Sequence, residues 1–408
     1  MRLIKRHAVS TIEKLQAMFK VVLVTGPRQV GKTTLLRNMH EEIPYVSLDD
    51  IASRNIAQEN PNTFLNDNDS PLFIDEVQNA PNLFPCIKQR VDEADSAGRY
   101  FLSGSQQLHM MKNVSESLAG RVGLLTLLGL SSREIKDLSF NEKFVPTESY
   151  LKSFSKQTSH AKGDEIWKLV QSGMLPALHN DSNSDWSLFY SGYVQTYLER
   201  DIRDLSNIGN LVDFLKFMTA IASLTGQLLN ISSLARDVGV TVQTAKHWLS
   251  VLVALNAVYL LYPFSNNTLN RAVKTPKIYF LDTGLACYLT KWNDVETLKS
   301  GAMAGAMFET FVISEILKSY FNKGIYKPPL YFYRDKDMRE IDIVIEDSGI
   351  LYPVEIKKHA DPTLRDIKNF DVLDKCAGYQ RGEGAVVCLY DKLMHLTENV
   401  WIVPIEYI

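Results

Sequence analysis

Short apolar runs alternate with helix-like segments through the first third of the chain. The first run, KVVLVT, is rich in β-branched residues, and each run has the length of a buried strand, while the intervening segments have helical periodicity. Because strands that alternate with helices form parallel sheets, we expect an α/β domain over residues 1–138 that opens with an amphipathic helix. The predicted helix lies within residues 1–18, and the predicted strands are 20–25, 43–48, 71–75 and 99–103.

The pattern changes after residue 138. Polar residues followed by helical periodicity over 139–225 predict a linker at 139–162 and then a helical lid. Two short helices and a strand over 226–270 predict a winged-helix-like region. Residues 271–408 predict a second α/β domain. Its predicted elements are strands at 277–281, 385–390 and 399–403, a long helix at about 303–321, three strands between 331 and 357, and a helix at 363–376.

The amino-acid composition is that of a globular protein and argues against several other classes. Of the 408 residues, 45% are hydrophobic and 22% are charged, which is typical of a globular chain. The net charge of −3 excludes a bulk polycation, so contact with nucleic acid would need local basic patches. Four dispersed cysteines argue against a disulfide scaffold or zinc site. No apolar run approaches the ~18 residues that span a bilayer, so we expect a cytoplasmic protein without membrane contact.

A phosphate-binding motif follows the first predicted strand. The sequence GPRQVGKT fits G-x-x-x-x-G-K-[ST], whose backbone amides and helix N-terminus cradle phosphates. Lys32 would reach the β- and γ-phosphates, and Thr33 would ligate Mg²⁺. We therefore expect ATP and Mg²⁺ as cofactors. The candidate nucleotide-binding residues are Gly26, Pro27, Arg28, Gln29, Val30, Gly31, Lys32, Thr33 and Thr34.

Two later strands end in polar residues that would complete a nucleotide site. The run LFIDE places Asp75 to hold Mg²⁺ and Glu76 to polarise the attacking water. The run RYFLSGS places Ser103 or Ser105 where a γ-phosphate sensor would stand, although a plain exit from the strand into a turn is the alternative.

In this order, GPRQVGKTT, FIDEVQ, LSGS and SLAGR resemble the AAA-type ATPase domain of a large bacterial and archaeal family. Members of that family continue with a C-terminal domain of unknown function, and the segments GMLP (173–176), YLERDI (197–202) and YFLDTG (279–284) are also similar to them. The resemblance implies Arg121 as an arginine finger or sensor, with Arg200 as a second candidate. A structural ion pair is the alternative role for each arginine. A finger acting in trans leaves a homo-oligomer open.

Residues 231–252 have the pattern of a helix–turn–helix. Gly239 would lie in the turn, Ser232 or Ser233 would cap the first helix, and Thr241 would cap the second. The residues off the apolar stripe of the second helix, which would face a DNA major groove, are Gln243, Lys246 and His247. One lysine and one histidine make a weak electrostatic footprint, so a role in protein contacts stays open.

The C-terminal region contains a candidate metal site. If Ser348-Gly349 is a two-residue hairpin turn, paired residues have numbers that sum to 697, so Asp342 lies opposite Glu355 at about 5 Å. Lys357 would share that face, while Pro353 could shift the register through a bulge. Two carboxylates and a lysine suit a divalent metal with an activated water. A solvated face or a structural ion pair is the alternative.

Taken together, the αβββαβ order, Glu309 on the preceding helix and the D-x12-E-x-K spacing resemble the PD-(D/E)XK nuclease fold. The usual proline beside the aspartate is replaced by Glu340-Ile341. The resemblance implies Asp342, Glu355 and Lys357 as catalytic residues and Glu309 as a further metal ligand. The basic residues near this site that could contact DNA are Lys336, Arg339, Lys357, Lys358, Arg365 and Lys368.

The leading hypothesis is an ATP-hydrolysing enzyme whose nucleotide state controls a DNA-directed, nuclease-like C-terminal domain. Two alternatives remain. One is a nucleotide-switched interaction protein with an inert nuclease-fold scaffold. The other is a DNA-binding regulator that acts through residues 226–270 without cleavage.

Overall fold

The computed structural model describes residues 3–104, 114, 116–155, 163–180, 184–198, 211–265 and 275–408. Ser105, Arg200 and the side chains of the 197–202 segment lie outside the described residues.

The N-terminal region is built on a five-stranded parallel sheet in the order β2-β3-β4-β1-β5. The four predicted strands are present, and the expectation of a parallel sheet is confirmed. The fifth strand, VGLLT, was not predicted from the sequence. The elements are β1 (Val21–Thr25), β2 (Tyr45–Ser47), β3 (Leu72–Asp75), β4 (Tyr100–Ser103), β5 (Val122–Thr126), α1 (Val9–Met18), α2 (Lys32–Met39), α3 (Ile51–Glu59), α4 (Pro61–Asp67), α5 (Leu83–Glu93) and α6 (Ser132–Ile135).

The expected linker at 139–162 is wrong in its first half. Phe140 and Phe144 are buried, and helix α7 (Glu148–Ser155) adds the buried Phe154. Tyr150 of α7 donates a hydrogen bond to the backbone oxygen of Tyr407 at 2.8 Å. A few aromatic residues therefore anchor a largely polar segment to the end of the chain, because each buries a large apolar area.

The middle region continues with helices and a small antiparallel sheet in the order β6-β8-β7. The predicted helix–turn–helix is present, with Gly239 at φ +84° in its turn and the Thr241 hydroxyl accepting from the Thr244 amide. The cap of the first helix is Asn230, not Ser232 or Ser233. The elements are α8 (Gly163–Ser172), α9 (Ala177–Asn180), α10 (Trp186–Tyr193), α11 (Leu211–Ser223), β6 (Gln227–Leu228), α12 (Ile231–Val238), α13 (Val242–Ala254), β7 (Val258–Leu261), β8 (Lys277–Phe280), α14 (Thr283–Leu289) and α15 (Val295–Ser300).

The C-terminal region is a mixed seven-stranded sheet in the order β14-β15-β13-β11-β10-β9, with β12 beside β11. A long, almost wholly buried helix, α16 (Ala304–Phe321), precedes the sheet. The strands are β9 (Leu330–Arg334), β10 (Glu340–Asp347), β11 (Ile350–Ile356), β12 (Gln380–Arg381), β13 (Gly384–Cys388), β14 (Met394–Thr397) and β15 (Val400–Pro404).

The helix expected at 363–376 is wrong. Only a 3₁₀ turn forms there, at Phe370–Lys375. The amide and hydroxyl of Thr363 both donate to the Asp366 carboxylate, at 2.7 and 3.1 Å. The apolar residues Phe370, Val372 and Leu373 are buried in this turn, so apolar spacing alone did not distinguish an α-helix from a shorter turn.

None of the described helices is long and apolar enough to cross a membrane.

Candidate functional site

The phosphate-binding loop connects β1 to α2 through two glycines at positive φ. Gly26 has φ +142°, and a Cβ at this position would lie 2.0 Å from the backbone oxygen of Leu127. Gly31 has φ +91° and is the N-cap of α2. The sequence needs glycine at both places, because side chains with a Cβ rarely adopt these conformations.

Three predicted residues meet at the carboxyl ends of β1, β3 and β4. The Thr33 hydroxyl donates to both oxygens of Asp75, at 3.0 and 3.2 Å, and the Ser103 hydroxyl also donates to Asp75. The Tyr45 hydroxyl donates to Asp75 at 3.2 Å, a contact that the sequence did not predict. A hydroxyl and a carboxylate this close match the hard oxygen ligands that Mg²⁺ prefers, so the residues present fit this ion.

The Lys32 ammonium lies inside the loop that precedes it. It donates to the backbone oxygens of Gly26, at 3.0 Å, and Pro27, at 2.7 Å. Lys32 is buried, so its charge stays within the loop where phosphate oxygens would bind.

Glu76 follows Asp75 at the end of β3, in the left-handed conformation with φ +54°. The Gln78 side chain donates a hydrogen bond to its carboxylate. The left-handed turn separates the two carboxylates, so that Asp75 points to Thr33 while Glu76 pairs with a different partner. This separation is consistent with the two different roles that the sequence predicts for them.

Arg6 is a structural partner of the phosphate loop that sequence reasoning missed. Its guanidinium donates to the backbone oxygens of Val30, at 2.6 Å, and Leu128, at 2.8 Å. It also pairs with the buried carboxylate of Glu134 at 3.2 Å, and this contact lowers the Glu134 pKa despite the raising effect of burial. The segment before α1 therefore fixes both the phosphate loop and the loop after β5.

A cavity of about 600 Å³ lies beside the phosphate loop. Gln16, His40 and Asn180 line it, and in the described part of the chain each leaves one buried polar atom without a hydrogen-bond partner. Burial lowers the His40 pKa. An apolar cavity with a few convergent polar groups is typical of a small-molecule site.

The GMLP segment (173–176) and the YFLDTG segment (279–284) pack against each other. The Asp282 carboxylate accepts from the amides of Met174, at 2.9 Å, and Leu285, at 2.8 Å, and also accepts from the Tyr190 hydroxyl. A Cβ on Gly284 would lie 2.7 Å from the Cα of Gly173, so glycine permits this close approach. The two segments therefore have a packing role, which the sequence could not assign.

The 173–176 segment also lies close to the phosphate loop. Pro176, three residues after Gly173, lies 3.9 Å from the position that a Cβ on Gly31 would take. Asp282 lies two residues after the end of strand β8 and is the N-cap of α14. The 173–176 segment therefore lies between the phosphate loop and the end of the small sheet of the middle region.

Arg121 lies at the opposite end of the parallel sheet from the phosphate loop of its own chain. It directly precedes β5, and its backbone oxygen accepts from the Val21 amide at the start of β1. The four-residue rise of β1 to Thr25 separates it from the loop by at least about 13 Å. Its guanidinium pairs with Asp92. A sensor role within one chain does not fit this placement, and the pairing with Asp92 matches the structural alternative that the sequence left open.

The predicted DNA-facing residues of α13 are exposed. Gln243, Lys246 and His247 lie on the outer surface, while Trp248 and Leu252 pack in the core. The helix therefore has the orientation that its apolar stripe predicted.

The hairpin of the C-terminal region has the predicted register. Ile343 pairs with Val354 and Asp347 with Ile350, so paired numbers sum to 697 as expected. Ser348 and Gly349 both have positive φ, at +54° and +80°, which is the conformation that a tight hairpin turn of this twist requires. Pro353 causes no shift.

The irregularity lies instead in the β9–β10 ladder, between Ile341 and Val344. Asp342 sits within it, and its carboxylate accepts from the Ile356 amide at 2.9 Å. The Asp342 side chain therefore lies over the end of β11, beside Glu355.

The other predicted members are close by. Lys357 pairs with Glu355 at 2.7 Å. Burial and then the Asp342 charge raise the pKa of Glu355 to about 8 and that of Glu309 to about 7. Because three carboxylates crowd a partly buried site, protonation relieves their repulsion.

Three further residues belong to this cluster and were not predicted. The Lys277 ammonium lies 3.4 Å from Glu309, 2.6 Å from Glu340 and 3.9 Å from Asp342. The Tyr279 hydroxyl donates to Glu309 at 2.6 Å. Lys277 and Tyr279 lie on β8 of the middle region, far along the chain from the hairpin, so no local pattern could have identified them.

The carboxylates of the cluster do not fit a metal ion as they are arranged. Within the described ranges, no three Asp, Glu, His or Cys side chains are placed to hold one. Lys277 supplies the positive charge that contacts Glu309, Glu340 and Asp342.

Comparison with known proteins agrees with the geometry of the N-terminal site. Residues 18–136 match the model of an AAA domain, and residues 163–296 and 304–408 match two domains of unknown function, DUF8612 and DUF4143. The uncharacterized proteins Rv2008c of Mycobacterium tuberculosis and Mb2031c of Mycobacterium bovis are each 29% identical over 408 residues, which cover 99% of this chain and 84% of theirs.

Solved structures were also compared. A Walker-type ATPase of Pyrococcus abyssi aligns at 15% identity with a TM-score of 0.46, covering 70% of this chain and 96% of its own. The AMPPCP-bound DnaA of Aquifex aeolicus aligns at 15% identity with a TM-score of 0.28, covering 60% of this chain and 85% of its own. The family match and the loop geometry agree that the N-terminal region resembles an AAA domain with a phosphate-binding loop.

Proposed function

We propose that this protein binds and hydrolyses ATP with Mg²⁺, and that its nucleotide state controls a DNA-directed, nuclease-like C-terminal region. The observation that carries the ATPase part is the meeting of Lys32, Thr33, Asp75 and Ser103 at the carboxyl ends of three parallel strands. In parallel α/β sheets, ligands bind at this edge.

Each residue of the site has a task that its position supports. Lys32 contacts the β- and γ-phosphates, and Thr33 and Asp75 hold Mg²⁺, which neutralises phosphate charge. Ser103 orients Asp75 through its hydrogen bond. Glu76 polarises the attacking water, and the cavity lined by Gln16, His40 and Asn180 receives the base.

Two substitutions test the ATPase assignment. Lys32→Ala should abolish nucleotide binding, and Glu76→Gln should keep binding but lose turnover, because only the activation of water is removed. Binding is measured with a fluorescent ATP analogue and turnover by phosphate release. The control is Glu59→Gln on the exposed end of α3, which should leave both unchanged. Unchanged turnover in Lys32→Ala and Glu76→Gln would refute the assignment.

Control of the C-terminal region by nucleotide is supported by contiguity. The phosphate loop meets Pro176, the 173–176 segment meets Asp282, and Asp282 follows the strand that carries Lys277. Packed elements of this kind can transmit a change of state between sites.

The nuclease-like part is supported by the gathering of Glu309 of α16 with Asp342 and Glu355 of the hairpin, beside Lys357, and it requires Lys277 to leave this cluster before a metal ion binds. The test is cleavage of linear, supercoiled and single-stranded DNA with Mg²⁺ or Mn²⁺, with and without ATP. Asp342→Ala and Glu355→Ala should each stop cleavage, while the matched control Asp337→Ala, on an exposed turn nearby, should not. Absence of cleavage under every condition would favour the inert-scaffold alternative.

A DNA-binding regulator is the other candidate, supported by the exposed side chains of Gln243, Lys246 and His247 on α13. The order α11-β6-α12-α13-β7-β8 is the one that a winged helix would have. This candidate predicts duplex binding that Lys246→Ala weakens, without any cleavage.

A further inference from the structure

Lys277 holds an unusual position for a lysine. Its side chain is only 5% exposed, and its ammonium lies between Glu309, Glu340 and Asp342. Buried lysines are rare unless they are paired, and this one is paired with three carboxylates at once.

The backbone fixes Lys277 from outside the C-terminal sheet. In β8 it pairs with Leu228 of β6 and with Leu261 of β7. Its ammonium also lies 5.6 Å from the ring centre of Phe332 in β9. One strand of the middle region thus delivers a cation into a cluster formed by α16 and the C-terminal hairpin.

An ammonium in this place excludes a second cation. A divalent ion that contacted Glu309 and Asp342 would lie within a few ångströms of the Lys277 nitrogen, which is 3.4 and 3.9 Å from their oxygens. Like charges at that distance repel strongly in a partly buried site.

We infer that Lys277 is a positioning residue of the C-terminal cluster that takes the place of a divalent cation. The cluster binds metal only when β8 draws Lys277 out. This inference rests on the nuclease-like part of the proposed function, which supplies a reason for metal to bind, but it concerns occupancy of the site and not cleavage.

The test measures the affinity of the full chain for Mn²⁺. Calorimetry and the electron paramagnetic resonance signal of free Mn²⁺ are the two readouts. Lys277→Met should bind Mn²⁺ at least about tenfold more tightly than the unchanged protein, because a repelling charge is gone. Lys277→Arg should resemble the unchanged protein, because it keeps the charge. The double variant Lys277→Met/Asp342→Asn should lose the gain, which would locate the ion.

Lys318 provides the matched control. It is also buried, and pairs with Glu315 at 2.6 Å on α16. Lys318→Met should therefore leave Mn²⁺ affinity unchanged. Equal Mn²⁺ affinity of Lys277→Met and the unchanged protein would overturn the inference.

The unchanged chain gives a second measurement in case Lys277→Met fails to fold. Saturating Mn²⁺ should increase acetylation of Lys277 by a water-soluble ester several-fold, read by mass spectrometry, while Lys318 stays protected. No change at Lys277 would overturn the inference. Failure of the proposed nuclease looks different: Mn²⁺ binds more tightly to Lys277→Met, yet no DNA is cleaved.

Discussion

The two candidate sites of this protein are built in different ways. The nucleotide site uses loops of one sheet, and its phosphate loop is a single stretch of chain, from Gly26 to Thr33. The C-terminal cluster takes Glu309 from a helix, Asp342 and Glu355 from a hairpin, and Lys277 from a different sheet. The phosphate loop is one consecutive segment and is fixed by local backbone geometry, whereas the C-terminal cluster is gathered from three elements and depends on how those elements pack.

The two sites also differ in charge. In the nucleotide site, Lys32 and the start of α2 present positive charge around one hydrogen-bonded carboxylate, Asp75. In the C-terminal cluster, carboxylates outnumber ammonium groups, and the pKa values of Glu309 and Glu355 rise. The first site is prepared for an anion, and the second carries an excess of negative charge that protons or cations must balance.

The largest effect is expected where the nucleotide site depends most on local backbone geometry. Gly26→Ala would place a Cβ 2.0 Å from the Leu127 oxygen at a φ of +142°. Strain and overpacking together should cost up to about 6 kcal/mol and abolish ATP binding. Gly163→Ala is the control, because no atom lies within 4 Å of its Cβ position and φ is not positive there. ATP affinity should be measured for both. Normal binding by Gly26→Ala would show that the loop is less constrained than its geometry indicates.

The next prediction asks whether the nucleotide site is truly local. Arg6→Met leaves the buried Glu134 carboxylate without its ion-pair partner, which should cost about 3–5 kcal/mol of stability. Because Arg6 also donates to the Val30 oxygen, ATP affinity should fall together with stability. Arg6→Lys keeps the charge but not the fork of donors, so it should recover part of the loss. Denaturant unfolding and ATP titration measure the two effects. A stable variant with normal ATP affinity would restore the view that the loop is self-contained.

Arg6 and Lys277 also show what the sequence could not predict. The phosphate motif and the hairpin register were both predictable, because glycines at positive φ and a Ser348-Gly349 turn restrict the backbone locally. Arg6 contacts Leu128, and Lys277 contacts Glu309 and Asp342, across gaps in sequence that no periodicity spans.

Two local predictions that the structure contradicts also depended on contacts that the sequence pattern did not reveal. In place of the helix expected at 363–376, a 3₁₀ turn buries Phe370 and Leu373, and the linker expected at 139–162 contains aromatic anchors such as Phe144. In both places a few specific contacts outweighed an average pattern, as tertiary context often does over propensity.

A pH prediction sharpens the contrast in charge. The pKa values of Glu309 and Glu355 rise from 4.5 to about 7 and about 8 in the folded chain, chiefly through burial and then through Asp342. Between those limits the folded state binds more protons than the unfolded state, so the free energy of unfolding must fall as pH rises. We expect a loss of about 1–3 kcal/mol between pH 6 and 8.5 in EDTA.

Glu355→Gln provides the comparison for this measurement. It should remove much of the pH slope, because it keeps the shape of the side chain and cannot ionise. Denaturant unfolding at both pH values gives the difference between the two proteins. If the slopes are the same, the Glu355 carboxyl is not held protonated in the folded state.

We expect the smallest effect on stability from substitutions of Arg121. The same substitutions test whether the nucleotide site is complete in one chain. The ion pair of Arg121 with Asp92 is partly exposed, so breaking it from either side should change stability little. Arg121 lies at the far end of the sheet from its own phosphate loop, so a finger role for it requires the nucleotide of a second copy. We therefore expect specific ATPase activity to rise with protein concentration, because a guanidinium from a neighbour would stabilise the charge on the transferring phosphoryl group.

Arg121→Ala should remove that rise, while Asp92→Ala, which breaks the same ion pair and keeps the guanidinium, should preserve it. Phosphate release measured across a hundredfold range of concentration separates the outcomes. If activity per chain is constant in all three proteins, the nucleotide site is complete within one chain, and the contrast with the C-terminal cluster becomes stronger.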